Sequence, residues 1–196
     1  MDIRELNRRA VAATVGIVGK VRNDQLGLPT PCEQWTLRQL LAHMNGQHHG
    51  FAAAARGETS DLSVWADRPV GDDLHAAYAA AAADVTTAFA KDGMLERRLW
   101  LPEIREGARF PAPMAIGFHF LDYVVHGWDV ARSIGTDPEF DADLVSAALV
   151  RANEVPDGEI RLVPGAAFRP GIAAPEGASD MDRMLALLGR SPAWPS

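Results

Sequence analysis

The sequence holds a single cysteine, Cys32, in 196 residues. One thiol can form neither an internal disulfide nor a thiolate zinc cluster, which leaves histidines and carboxylates as the strong metal-binding groups. Basic charge is also in short supply: 19 Lys and Arg stand against 26 Asp and Glu, a formal net charge of −7. That balance argues against a protein whose affinity comes from neutralising nucleic-acid phosphates. No stretch approaches the roughly 18 uninterrupted apolar residues of a membrane span. The opening Met1-Asp2-Ile3-Arg4-Glu5-Leu6 mixes charge with apolar residues instead of following a basic segment with an apolar one, as a signal peptide does. These absences predict a soluble, cytoplasmic protein with a small-molecule substrate and with neither nucleic acid nor membrane as partner.

What is present suits a globular chain: 47% hydrophobic and 23% charged residues. The length suits one domain over 1–196, with a bundle over about 1–135 and a C-terminal extension over about 136–196. Helical periodicity recurs in four long segments. In the first, Ile3, Leu6, Ala10, Ala13, Ile17, Val18 and Val21 form a stripe that closes near Asn23-Asp24. The second opens on Thr36 with Gln39 three residues on, a capping box; it carries Leu37, Leu40, Leu41, Met44, His48 and Phe51 and stops at Gly57. The third starts near Asp72 or Asp73 and is rich in alanine, which favours helix and lets a neighbouring helix, or a second copy in a homodimer, approach closely. The fourth runs from about Met114 to Ile134. Between these, 58–71 reads as a polar loop, and 94–113 as a broken segment with a short extended piece at Leu95, Leu99 and Leu101. Shorter helices are expected over about 142–153 and from Asp180, capped by Ser179, to Leu188. The Pro- and Gly-rich stretch 155–179 reads as a loop that is functional or partly disordered. The fold class is therefore all-α: a four-helix bundle with additional short C-terminal helices.

The chemistry concentrates in the fourth helix, which reads Gly117-Phe118-His119-Phe120-Leu121-Asp122-Tyr123-Val124-Val125-His126-Gly127-Trp128-Asp129. His119, Asp122, His126 and Asp129 fall within about 80° of one another around its axis. Asp122 and His126, four apart, can reach one point beside the helix. Such a pair is either a hydrogen-bonded surface couple or part of a divalent-metal site. Polar groups inside an apolar helix favour the second, because they are costly unless something binds them. A further ligand has to come from elsewhere. The second helix offers His43, His48 and His49; periodicity selects His48 as the inward residue, while His43 lies about 110° off the stripe centre and can face a different neighbour. Spacing alone leaves that choice open.

Two motifs resemble a known family. Thr30-Pro31-Cys32-Glu33-Gln34-Trp35-Thr36-Leu37-Arg38-Gln39-Leu40-Leu41-Ala42-His43 is similar to the opening signature of the metal-binding domain of mycothiol-dependent maleylpyruvate isomerases, within the DinB-like superfamily of four-helix bundles. Leu121-Asp122-Tyr123-Val124-Val125-His126-Gly127-Trp128-Asp129 resembles its second signature, and the ending from Ala178 to Arg190 resembles an uncharacterised actinobacterial branch. The resemblance implies a metal held by His43, Asp122 and His126, with Asp122 where the isomerase uses a glutamate. It implies zinc first, with nickel or another transition metal as alternatives, and mycothiol as thiol co-substrate. The isomerase also carries a separate C-terminal domain, for which this length leaves no room.

The leading expectation is a metal-dependent, thiol-using transferase or isomerase; the alternatives are a non-catalytic metal-binding dimeric module and a metal-dependent hydrolase. His48 is a candidate for lining the pocket or for a plain core histidine, and His119 for an outer ligand or a supporting partner of the ligands or for a capped, partly exposed histidine. Asp129 is expected to pair with Arg132 rather than orient His126. Cys32 is expected to be a small packed residue, and Trp35 and Trp128 to pack the bundle ends. Arg105, Arg161 and Arg169 lie in irregular segments and receive no role.

Overall fold

The structure is a computed structural model describing residues 1–32, 35–58, 61–104, 107–163 and 166–195. Glu33 and Gln34 of the first motif, Arg105, and Pro164 and Gly165 lie outside the described residues. Helix α1 spans Ile3–Val18, α2 Leu37–Arg56, α3 Leu74–Phe89 and α4 Ala112–Ser133; α5, Ala142–Ala152, and α6, Asp180–Leu187, follow. A two-stranded antiparallel hairpin, β1 (Arg98–Trp100) and β2 (Arg109–Pro111), precedes α4.

The helix ends follow from local chemistry. Asp2 caps α1 by accepting from the Arg4 amide. Thr36 and Gln39 form the expected reciprocal capping box at the start of α2, and Gly57, at φ 95°, closes it in the left-handed region that glycine adopts without strain. Ser179 caps α6. Pro113, in the first turn of α4, occupies a position with no intrahelical N–H bond to lose, so the helix starts two residues before Met114. α1 ends at Val18, earlier than periodicity suggests, and Asn23–Gln25 forms a separate 3-10 turn.

Helix α1 packs on α4 and α3, and α2 packs on α3 and α4, so the four close into a bundle; α5 leans on α4 and α1, and α6 on α5. The alanine face of α3 is thus used inside the molecule: Ala81, Ala82 and Ala88 are buried against these neighbours. Gly127 lets α1 and the segment after α4 come close. A Cβ there would sit 2.8 Å from Thr14 Cγ2 and 2.7 Å from Phe140 Cζ. One core cluster joins Phe51, Phe89, Phe120 and Trp128 to Leu144 and Leu185 of the extension; a second gathers Val11, Leu40, Met44, Tyr78 and Tyr123. Full burial of each such side chain contributes about 1.5–3 kcal/mol.

Two loops are more ordered than their composition suggests. In 58–71, Leu62–Trp65 forms a 3-10 turn whose Trp65 is buried against Phe51. In 155–179, Arg161 is buried and its guanidinium donates to the carbonyls of Val155, Pro156, Arg169 and Leu187. Arg161 therefore staples the loop to the end of α6 and has its donors committed there.

His48 and His119 lie fully buried in the bundle centre, so His119 is not the partly exposed histidine that one reading of the sequence expects; both stack on Tyr123 with centroids 4.1 Å away. His119 Nδ1–H donates to Asn7 Oδ1 at 2.7 Å, which leaves its Nε2 to accept from His48 Nδ1–H at 3.3 Å. Burial pushes His119 down to about 3 from an ordinary 6.5, and burial, reinforced by His119, drives His48 well below its ordinary value. Both are therefore neutral, and the unfolded chain takes up protons from pH 6.5 downward that the folded protein refuses. This part of the stability is complete above pH 6.5 and is lost as the pH falls from there toward 3. Thermal melts followed by far-UV circular dichroism should show the melting temperature dropping below pH 6.5, with a shallower drop in the paired variant Asn7→Leu, His119→Phe.

Candidate metal centre

At one end of the bundle α2 and α4 bring together His43, Asp122 and His126, whose nearest ligand atoms all lie within 4.8 Å of one another. Among the described residues this is the group of at least three His, Cys, Asp or Glu side chains with that geometry. His126 Nε2 stands 3.4 Å from Asp122 Oδ1. Two ligands of a tetrahedral ion, each about 2.0–2.1 Å from it, are about 3.3–3.4 Å apart, so this separation suits a shared divalent cation. His43 and His126 meet edge to face, 5.7 Å between centroids at 82°.

Each histidine has its other nitrogen engaged. His126 Nδ1–H donates to Asp129 Oδ2 at 3.0 Å, and His43 Nδ1 faces Asp67 Oδ1 at 3.4 Å. A carboxylate behind the imidazole fixes tautomer and ring orientation and leaves Nε2 as the donor atom. Asp129 is fully buried and is held from its far side by Arg190, whose Nε and Nη2 approach its two oxygens at 3.2 Å each. Burial opposes its charge, but Arg190 and His126 outweigh burial and keep the carboxyl below the usual range. The expected Asp129–Arg132 bridge does not form: Arg132 donates to the Trp194 carbonyl instead.

The two histidines differ in electrostatics. Burial works against a charge on His126, but Asp122 and Asp129 overcome it and raise its pKa. His43 is lowered, first by burial and then by its neighbour His126, against the pull of Asp122 and Asp67. The side chains of His43 and Asp122 keep 22% and 24% of their accessible surface, while His126 keeps 5%. The centre is thus anchored on a buried ligand and open on one side.

Asp67 reaches His43 because the loop after Trp65 presses onto α2. The Arg68 amide donates to the Ala42 carbonyl, and Gly46 supplies the room: a Cβ there would lie 2.6 Å from the Ala66 carbonyl oxygen. Trp35, just before α2, lies over the His43 ring at 4.5 Å and 6.1 Å from His126, so it walls the centre as well as packing the bundle end. Cys32 is nearby in electrostatic terms, feeling Arg190, Asp129 and Asp122, but burial pushes its thiol up to about 11; it stays protonated at neutral pH and lies outside the three-residue group. His48 and His119 belong to the separate core pair already described. Asp67 and Arg190 escaped the sequence reading, and Asp129's partnership with His126, which that reading set aside in favour of Arg132, is the one that forms.

This centre lies wholly within residues 7–131, the stretch that matches the family model "Mycothiol maleylpyruvate isomerase N-terminal domain". Two uncharacterised proteins of Mycobacterium tuberculosis, MT0763 of strain CDC 1551 and Rv0738 of strain H37Rv, are each 32% identical to the chain over 191 residues, covering 97% of it and 99% of the relative. Among solved structures, the mycothiol-dependent maleylpyruvate isomerase superposes with a TM-score of 0.58 at 16% identity, over 76% of this chain and 66% of that one. A histidine-to-alanine mutant of the same enzyme matches equally. The helical bundle is therefore shared with that enzyme, about two thirds of whose length the match spans. With the family model covering more than half of its residues, and full-length relatives above 30% identity, the chain belongs to the mycothiol maleylpyruvate isomerase N-terminal domain family.

Proposed function

We propose that this protein is a metal-dependent, thiol-using enzyme of the mycothiol type, catalysing a transfer or an isomerisation, with His43, Asp122 and His126 holding a divalent transition metal, zinc first. The observation that carries the reading is the convergence of three ligand atoms within 4.8 Å, with each imidazole backed by a carboxylate at Nδ1. Family membership supplies the thiol. When bound, the ion lowers the pKa of a thiol or water entering its open side.

The chain's own residues do the rest. Arg190 keeps Asp129 ionised, and Asp129 keeps His126 oriented with Nε2 outward. Asp67 does the same for His43 from the loop. Two neutral imidazoles and one carboxylate against a doubly charged cation leave a net positive charge, which favours an anionic fourth ligand such as a thiolate. The partial exposure of His43 and Asp122 supports a catalytic site over a sealed structural one, because catalytic zinc keeps an open position. Hydrolysis by an activated water is the competing chemistry, and turnover of an ester or amide without added thiol would select it.

Protein purified without a metal-affinity tag should retain about one divalent ion per chain by elemental analysis, and His126→Ala should retain none while keeping its far-UV helical signal. Asp129→Asn should weaken zinc binding by about 10–100-fold in a competition titration. Gly46→Ala should loosen zinc by displacing the loop that carries Asp67; an unchanged affinity would mean that Asp67 does not support the ligand. In the same protein, Cys32 should resist alkylation at pH 7 and become reactive only as the pH approaches 11, read by mass spectrometry.

A further inference from the structure

The segment that follows α6 returns to the helix that carries two of the three ligands. Gly189 closes α6 at φ 73°; its amide donates to the Ala186 carbonyl, and the Arg190 amide donates to that of Leu185. A Cβ at 189 would lie 2.5 Å from Arg169 Cβ and 2.7 Å from the Pro170 carbonyl oxygen. Glycine is what lets the chain turn here, against the loop that Arg161 staples to the Leu187 carbonyl. From this root, residues 189–195 follow the last turns of α4. Two guanidiniums hold them there, pointing in opposite directions. Arg190 reaches from the segment into α4 and meets both oxygens of Asp129 at 3.2 Å. Arg132, three residues further along α4, reaches outward and donates to the Trp194 carbonyl from Nη2 at 2.6 Å and from Nε at 3.3 Å. The Trp194 side chain, partly buried, packs against the main core.

The two grips differ in kind. The Arg190–Asp129 contact is sealed from water, with 3% and 0% of the side chains exposed, so each member depends on the other. The Arg132–Trp194 contact lies at the edge, where Arg132 is half-buried, and it fixes the segment beyond the ion pair. If residues 189–195 leave α4, Asp129 loses its guanidinium, and His126 loses a firm partner at Nδ1. The ring then has less to hold it with Nε2 toward Asp122. The docked segment therefore presents a ligand nitrogen that the undocked one leaves free to turn.

Resting on the metal-binding part of the proposed function, we propose that residues 189–195 are a strap that positions His126, and that a docked strap and a bound divalent ion stabilise each other. Arg190 and Arg132 are its positioning residues. Neither belongs to the ligand group; Arg190 acts through Asp129, and Arg132 acts by keeping the strap in place. A cation that binds the docked state more tightly shifts the population toward it. By linkage, docking raises the affinity for the cation by the same factor that the cation favours docking. The C-terminal extension thereby senses whether a site built by α2 and α4 is filled, although it supplies no ligand to that site.

Hydrogen exchange of the full chain, read by mass spectrometry with and without saturating zinc, follows the strap directly. Zinc should slow exchange in peptides covering 184–195 by at least about fivefold. His43→Ala removes a ligand on α2 and touches neither α4 nor the strap; it should abolish that protection and leave the metal-free exchange of the strap as it is. In the other direction, Arg132→Met should weaken zinc by about 5–50-fold in a competition titration. Arg9→Met cuts a different tie of the same extension, the one from α1 to Asp141 and Asp143, and should leave zinc affinity within about twofold. Equal losses in the two arginine variants would make the extension a general stabiliser and overturn the strap. Zinc binding with no change in strap exchange would also overturn it, while the metal reading stands. A wild-type protein that binds no zinc, nickel or cobalt would overturn the metal reading and the strap together.

Discussion

One buried ion pair sets the geometry on which the rest depends. Asp129 has no solvent contact, and a lone carboxylate in such a place costs several kcal/mol. Here it is charged because Arg190 meets it from one side and His126 from the other. The pair has two consequences. It ties Arg190, just past α6, to the last turns of α4, across 61 residues. It also decides which nitrogen of His126 is free, since a proton engaged by Asp129 at Nδ1 leaves Nε2 facing Asp122. Break the ion pair, and the ring loses its fixed tautomer at the same time as the fold loses a long-range tie.

The second histidine is set up by a weaker version of the same device. Asp67 is 58% exposed and 3.4 Å from His43, and its place depends on a loop that rests on Gly46 with no side chain between. The centre thus has a rigid half on α4 and an adjustable half where α2 meets the loop. In the proposed metal site that division would let the buried ligand fix the position of an ion while the more exposed ligands adjust. Asp122, one methylene shorter than a glutamate, would draw an ion held in the proposed site toward the half on α4.

The helices were legible because their signals are local. Thr36 with Gln39, Ser179 and Gly57 act within a turn of themselves, and the apolar stripes repeat at the helical period. The family motifs likewise lie within single segments, so His43, Asp122 and His126 could be named from sequence, although spacing alone leaned toward His48. Periodicity could not settle that choice because a four-helix bundle has more than one interior interface: His48 turns toward Tyr78 and Tyr123, and His43 toward His126 and Trp35. What stayed hidden are the contacts between segments far apart in sequence. Asp67 sits in a stretch that reads as polar loop, and Arg190 closes the C-terminal motif just past the last helix, where nothing local assigns it a partner. Each acquires meaning only when the fold carries it to α2 or α4.

The two histidine pairs in this bundle make the physical criterion explicit. His48 and His119 are the better buried, stacked on the same tyrosine and joined directly, yet among the described residues their hydrogen bond outside the pair goes to the neutral amide of Asn7. With no carboxylate beside them they stay uncharged and protonate only in acid, so they serve packing. His43 and His126 lie no nearer to each other, but each has a carboxylate at Nδ1 and a third carboxylate between them on the open side. An imidazole so backed has its tautomer and ring orientation fixed. The difference between core and centre therefore comes from where the acidic groups fall: Asp129 three residues after one ligand, and Asp67 on a loop that a glycine admits.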